Sequence, residues 1–135
     1  MKQVRMGIIG FGVQGGSYAG FISQGKVEGM VLGGICDIDP EKKEKAAKEY
    51  AEVPYFEDYM DMIGSGAVDC VITTVPHYLH PVIGMAAIEH GMPVIIEKPA
   101  GVYTKQVKQL IACSQAHPDV PFAIMFNQRT NPLYI

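Results

Sequence analysis

The sequence has no tryptophan, and its 135 residues include only three cysteines. Cys36, Cys70 and Cys113 are odd in number and share no C-x-x-C spacing, so they offer no disulfide framework. Cys36 and Cys70 sit in apolar runs, where a free thiol behaves as a small hydrophobe, and a reduced, cytoplasmic setting is the simplest expectation. There is no run of basic residues, and the net charge is −3, which argues against a nucleic-acid partner. No stretch approaches the ~20 apolar residues that span a bilayer, so no membrane partner is expected either. Lys2 and Arg5 ahead of the run Met6–Val13 loosely mimic a secretion signal, but that run is short and reads better as a buried strand ending in a glycine turn.

What is present is ordinary globular composition: 48% apolar and 19% charged residues, with 15 glycines and 9 prolines. The length predicts one domain with a substantial core and leaves no room for a second. The apolar runs Val4–Ile9, Met30–Cys36, Val68–Val75, Pro93–Ile96 and Val120–Phe126 are apolar at successive positions, as strands covered on both faces are. Segments of helical length alternate with them. One runs from about Gln14 to Ser23. Pro40–Ala51 follows, with Asp39 as its cap and Glu41/Lys45 and Glu44/Lys48 spaced to pair. Leu79–His90 is stopped by Gly91 and Pro93. The last runs from about Tyr103 to Ala116, with Thr104 as candidate cap. Pro54–Phe56 reads as a short edge strand, followed by a helix near Asp58–Ile63. This order predicts an α/β fold: a doubly wound parallel sheet in three layers, forming a single domain with right-handed crossovers.

Gly10-Phe11-Gly12-Val13-Gln14-Gly15 matches G-x-G-x-x-G between the first strand and the first helix. Gly10 permits the tight turn, Gly12 lets a pyrophosphate approach the backbone, and Gly15 allows close helix–strand contact. Free N–H groups near Val13 and Gln14 would face the phosphates. Asp37 lies 22 residues beyond Gly15, at the end of the second strand. A carboxylate there accepts the adenosine ribose hydroxyls and repels a 2′-phosphate, so NAD is expected over NADP and the sheet is Rossmann-like. Methyltransferases share a glycine loop and an acid on the second strand, but the dinucleotide spacing and the downstream residues suit them less well.

Two further clusters fall where strands end: Thr73–His80, and Glu97-Lys98-Pro99. A charged pair closing an apolar strand belongs in a cleft or at a surface. Lys98 is either a proton donor toward a substrate hydroxyl or a solvated strand end paired with Glu97; the residues alone leave both open. His77 and His80 stand at i,i+3 with no third ligand beside them, which argues against a metal site. Tyr103 and Asn127 are further candidates for the same cleft.

Taken together, these residues resemble the glucose–fructose oxidoreductase/inositol dehydrogenase (Gfo/Idh/MocA) family over nearly the whole chain. Its most specific signature is Val94-Ile95-Ile96-Glu97-Lys98-Pro99 after a helix ending in Glu89-His90-Gly91. The tail Phe126-Asn127-Gln128-Arg129-Thr130-Asn131-Pro132 is similar to the family segment that leaves the nucleotide domain. The resemblance implies hydride transfer between a nicotinamide cofactor and a sugar, cyclitol or related hydroxyl compound. It implies that Lys98 is the catalytic residue beside the nicotinamide, and that the Lys98–Pro99 bond is cis. It implies that Glu97, Thr74, Val75, Pro76, His77, His80 and Asn127 border the cofactor, as do Gly10, Phe11, Gly12, Val13, Gln14 and Asp37. Many members have Thr-Pro-Asn where this chain has Val75-Pro76-His77, so that Thr hydroxyl and Asn amide are absent here, and His77 is the side chain left to donate a hydrogen bond to the cofactor. Family members also carry a C-terminal substrate domain. Asn131-Pro132 has the chemistry of a helix start, so residues 1–130 are expected to form the nucleotide domain and 131–135 the start of a truncated helix leading out of it. The fragment is then expected to be inactive alone and to self-associate through an uncovered apolar face. The alternative is a stand-alone, non-catalytic dinucleotide-binding or sensing module.

Overall fold

In a computed structural model, residues 2–134 are described. The first element is strand β1 (Val4–Ile9), which takes up the apolar run after Arg5 as far as Ile9. It is followed by α1 (Val13–Ser23), β2 (Met30–Cys36), α2 (Pro40–Glu49), β3 (Tyr55–Phe56) and α3 (Tyr59–Gly64). The second half runs β4 (Cys70–Thr73), α4 (His80–Glu89), β5 (Val94–Glu97), α5 (Thr104–Ala116) and β6 (Phe122–Met125). The six strands lie in the order β3-β2-β1-β4-β5-β6. Every pairing is parallel. The order reverses between β1 and β4, which opens a crevice at their carboxyl ends.

The two halves of the sheet wind in opposite senses, so right-handed crossovers place their helices on opposite faces. On one face Ala19 and Ile22 of α1 and Ala46 of α2 pack on Met6, Ile8 and Ile35. On the other, Met62 of α3, Ile83, Ala87 and Ile88 of α4 and Leu110 of α5 pack on Ile9, Val71 and Ile96. Each fully buried Ile, Leu or Phe contributes ~1.5–3 kcal/mol over leaving it exposed.

Several boundaries differ from the sequence pattern, each for a local reason. The run Val68–Val75 shrinks to β4, because Asp69 turns its carboxylate onto Arg5 and Thr74 turns its side chain back onto the glycine loop. The β1–β2 register slips between Met6 and Gly7, leaving Gly33 as a bulge. A Cβ at Gly33 would lie 2.8 Å from the Ala67 carbonyl oxygen, so only glycine fits. Asp39 caps α2 as expected, its side chain accepting from the Glu41 N–H at 2.9 Å. Thr104 is not the cap of α5. Tyr103 holds that position without a side-chain bond. A 3₁₀ turn, His77–Leu79, precedes α4. The expected Glu41/Lys45 and Glu44/Lys48 pairs do not form. Among the described residues the ion pairs are Arg5–Asp69 and Lys43–Glu57, and Lys45 instead lies over the Phe11 ring, 4.9 Å from its centroid. At the C-terminal end, Asn131 accepts from the Leu133 N–H at 3.0 Å, as a cap does, but residues 131–134 form a turn rather than a helix, and Ile135 lies outside the described residues. Among the described residues no helix is long and apolar enough to cross a membrane.

Candidate functional site

The carboxyl ends of β1, β2, β4, β5 and β6 meet along one edge of the sheet, each delivering a segment singled out above. After β1 the chain turns at Gly10, whose φ of +97° lies in the region that favours glycine. A Cβ there would meet the Thr74 carbonyl oxygen at 2.6 Å. Thr74 pins the turn by donating to the Gly10 carbonyl at 2.5 Å. Gly12 begins α1 with no side-chain cap bond, so the first N–H groups of the helix have no partner from a capping side chain. A Cβ at Gly12 would meet nothing within 4 Å, so this face of the loop is an open cradle.

Asp37, at the end of β2, faces the loop. Its Oδ2 accepts from the Phe11 N–H at 2.7 Å and its Oδ1 from the Asp39 N–H at 2.9 Å. A carboxylate offers about four acceptor positions, so two remain for a ligand. Tyr55 donates its hydroxyl to the Asp37 carbonyl at 2.8 Å, and burial followed by the nearby Asp37 charge pushes that phenol up to about 12. Phe11 itself is fully buried, and only its main chain reaches the site. Val13 is 91% exposed at the start of α1, so its N–H rather than its side chain belongs to the cradle. Gly10, Gly12, Asp37, Thr74, Val75 and Pro76 border a cavity of about 390 Å³. Ile38, Tyr59 and Tyr78 supply its apolar wall. Tyr78 lies within the cluster Thr73–His80 singled out from sequence, whereas Ile38 and Tyr59 were not named as site residues, since a single apolar residue after a strand or at the start of a short helix carries no pattern of its own.

A second cavity, about 230 Å³, lies beyond the glycine loop and is bordered by Gln14, Thr74, Val75, His77, Glu97 and Lys98, with His80 at its base. His80 is 1% exposed. Its Nδ1 lies 2.7 Å from the Pro99 carbonyl oxygen and its Nε2 3.0 Å from that of Val75. Both ring nitrogens are therefore engaged by the main chain, and His80 ties the end of β4 to the end of β5 instead of presenting a free atom to a ligand. His77 stands 5.8 Å away, ring centroid to ring centroid. Among the described residues no three His, Cys, Asp or Glu side chains cluster at metal-ligand spacing.

The Lys98–Pro99 bond is cis, as the resemblance implied. Glu97 is buried and Lys98 exposed at the cavity rim. The two side chains do not form an ion pair. Glu97 instead accepts from the Lys98 main-chain N–H at 2.8 Å through Oε2, while Tyr18 donates to Oε1. Tyr18 is a residue that sequence reasoning missed. The available signal was its place one turn after Gln14, on the helix the glycine loop opens. On the other side of Lys98, Asn127, Phe126 and Arg129 border a cavity of about 560 Å³ shared with Gln14 and Glu97. Tyr103 is 64% exposed at the start of α5 and borders none of these three cavities.

Comparison with known proteins places this geometry. The model of an oxidoreductase family with an NAD-binding Rossmann fold, GFO_IDH_MocA, matches residues 4–124. Inositol 2-dehydrogenase 1 of Saccharopolyspora erythraea is 29% identical over 98% of this chain and 39% of that protein. The solved scyllo-inositol dehydrogenase of Lactobacillus casei with bound NAD(H) and scyllo-inositol superposes with a TM-score of 0.90, at 26% identity, over 97% of this chain and 38% of that one. The myo-inositol 2-dehydrogenase of Lactobacillus plantarum superposes with a TM-score of 0.89, at 29% identity, over 97% of this chain and 38% of that one. The chain thus spans about 39% of the length of the curated relative it matches.

Proposed function

The chain belongs to the GFO_IDH_MocA oxidoreductase family, and on that premise we propose that it is the cofactor half of an NAD-dependent dehydrogenase acting on a CH–OH group of a sugar, a cyclitol or a related polyol. The observation that carries this is the convergence on one sheet edge of an open glycine cradle, the Asp37 carboxylate and the Glu97-Lys98 strand end. The residues fit NAD. Gly12 leaves space that any side chain would fill, the uncapped start of α1 suits a pyrophosphate, and Asp37 keeps acceptor positions for two ribose hydroxyls. The same carboxylate repels a 2′-phosphate, so NAD is favoured over NADP.

When bound, the nicotinamide supplies hydride chemistry. The rest falls to this chain. Gly10, Gly12, Val13 and Gln14 hold the phosphates by main chain, and Thr74, Val75, Pro76 and His77 border the inner half of the cleft. Glu97 and Asn127 flank Lys98. Lys98 holds a proton at Nζ within reach of a substrate hydroxyl, which makes it the catalytic residue of this half. His80 keeps the two strand ends together. In this reading the chain is a nucleotide-binding domain over residues 1–130, and exposed apolar residues such as Phe126 and Leu133 offer a surface for self-association. Three unpaired thiols fit the reduced cytoplasm.

Calorimetric titration of the chain with NAD, NADP and S-adenosylmethionine tests the reading. Binding of NAD at least about 10-fold tighter than NADP is expected. Binding of S-adenosylmethionine alone overturns it.

A further inference from the structure

Glu97 is 8% exposed, and both of its oxygens are engaged: Oε1 by the Tyr18 hydroxyl and Oε2 by the Lys98 N–H. Neither oxygen is in an ion pair with the Lys98 ammonium, although the residues are adjacent in the chain. A buried carboxylate with an open oxygen takes the nearest donor, because an unpaired charge in a low dielectric is costly. The Tyr18 hydroxyl reaches Glu97 from α1 and, with the Lys98 N–H, fixes the orientation of the carboxylate.

We propose that Tyr18 is a positioning residue that acts through Glu97 on Lys98: by holding Oε1 it keeps the carboxylate turned onto the Lys98 main-chain N–H and away from the Lys98 ammonium, which is left to the cleft that Lys98 lines. This deepens the cofactor-site reading and rests on it. The side chain suits the task at both ends. Its ring lines an apolar cavity against the sheet with Phe21, Ile95 and Met125, while its hydroxyl reaches the strand end. Burial first, then the Glu97 hydrogen bond, pushes the phenol up to about 12, so it stays a proton donor across the neutral range. The link also joins the helix whose start cradles phosphate to the strand end that carries Lys98, so the two halves of a dinucleotide site are set by one side chain.

Tyr18→Phe keeps the ring and removes the donor. Amide hydrogen exchange of the whole chain reads the link directly and needs no cofactor. The Lys98 amide is expected to exchange about 10-fold faster in the variant, while the Thr74 amide, bonded to the Ile9 carbonyl at 2.8 Å, is unchanged. NADH affinity is expected to fall about 5-fold and ADP-ribose affinity to hold within about 2-fold, since only the nicotinamide half meets Lys98. Unchanged Lys98 exchange, or equal loss of both ligands, overturns the proposal. Glu97→Gln tests the same link with the ring intact and is expected to speed Lys98 exchange as well; if it does not, the proposal fails even where Tyr18→Phe does not fold. If the wild-type chain binds neither ligand, the cofactor reading is what fails, and Lys98 exchange alone decides whether Tyr18 acts through Glu97.

Discussion

Gly15 sits so close to Gly10 that a Cβ on Gly15 would fall 1.9 Å from the Gly10 carbonyl oxygen. The same Cβ would lie 2.7 Å from the Thr74 hydroxyl oxygen. Helix α1, the glycine turn and the end of β4 thus close on one another at a point with room for hydrogen alone.

Gly15 and Gly12 are therefore expected to fail differently when each is changed to Ala. Gly15→Ala must push the turn apart, and overpacking of this kind costs ~1–3 kcal/mol, visible as a lowered melting temperature. Gly12→Ala meets nothing within 4 Å and has an ordinary φ of −81°, so it is expected to melt within a degree or two of wild type. Its methyl group fills the phosphate cradle, and NAD binding by calorimetry is expected to fall at least about 10-fold.

Asp37→Ser probes dinucleotide choice. The change removes the charge that repels a 2′-phosphate and shortens the acceptor that takes the Phe11 and Asp39 N–H groups. NAD affinity is expected to drop about 10-fold, and the NAD-to-NADP ratio to shrink by more than that. A variant that keeps the wild-type ratio shows that selectivity lies elsewhere.

His80→Leu keeps an apolar volume but strips the tie between the strand ends. It removes the ring that faces the carbonyls of Val75 and Pro99 and with it the N–H that one of them accepts from. Urea denaturation is expected to show a loss of about 2–4 kcal/mol. A smaller loss than that of an ordinary surface change, about 0.5 kcal/mol, would show that water replaces the ring.

Arg5 and Asp69 make stability pH-dependent. The Arg5 Nη2 lies 2.8 Å from Asp69 Oδ1, its Nε 3.0 Å from Oδ2, and its main-chain N–H also donates to the carboxylate. These bonds hold the Asp69 carboxyl well below the ordinary carboxylate range. A depressed carboxyl contributes stability above its unfolded pKa, about 3.9, and that contribution is lost as the pH falls through the folded value. Asp69→Asn is therefore expected to lower the melting temperature at pH 7, and its difference from wild type to narrow progressively as the pH falls below about 3.9 toward the folded value. Parallel melting curves across that range would show that the pair, partly open to solvent, contributes nothing measurable.

Much of this protein was legible in the order of its residues. Alternating apolar runs and helical spacings determine a doubly wound sheet, because strands covered on both faces must be apolar throughout and crossovers have one hand. The glycine turn, Asp37 and Glu97-Lys98-Pro99 were visible for the same reason: each is a local pattern at a strand end. What only the tertiary structure decided is how side chains far apart in sequence divide the site between them. His80 belongs to the main chain on either side of it, and Glu97 faces Tyr18, 79 residues earlier, instead of the Lys98 ammonium beside it. Local sequence carries the periodicity that builds a sheet, but the partner of a buried polar atom is whichever donor the fold brings within about 3 Å, and that distance exists only once the sheet has closed.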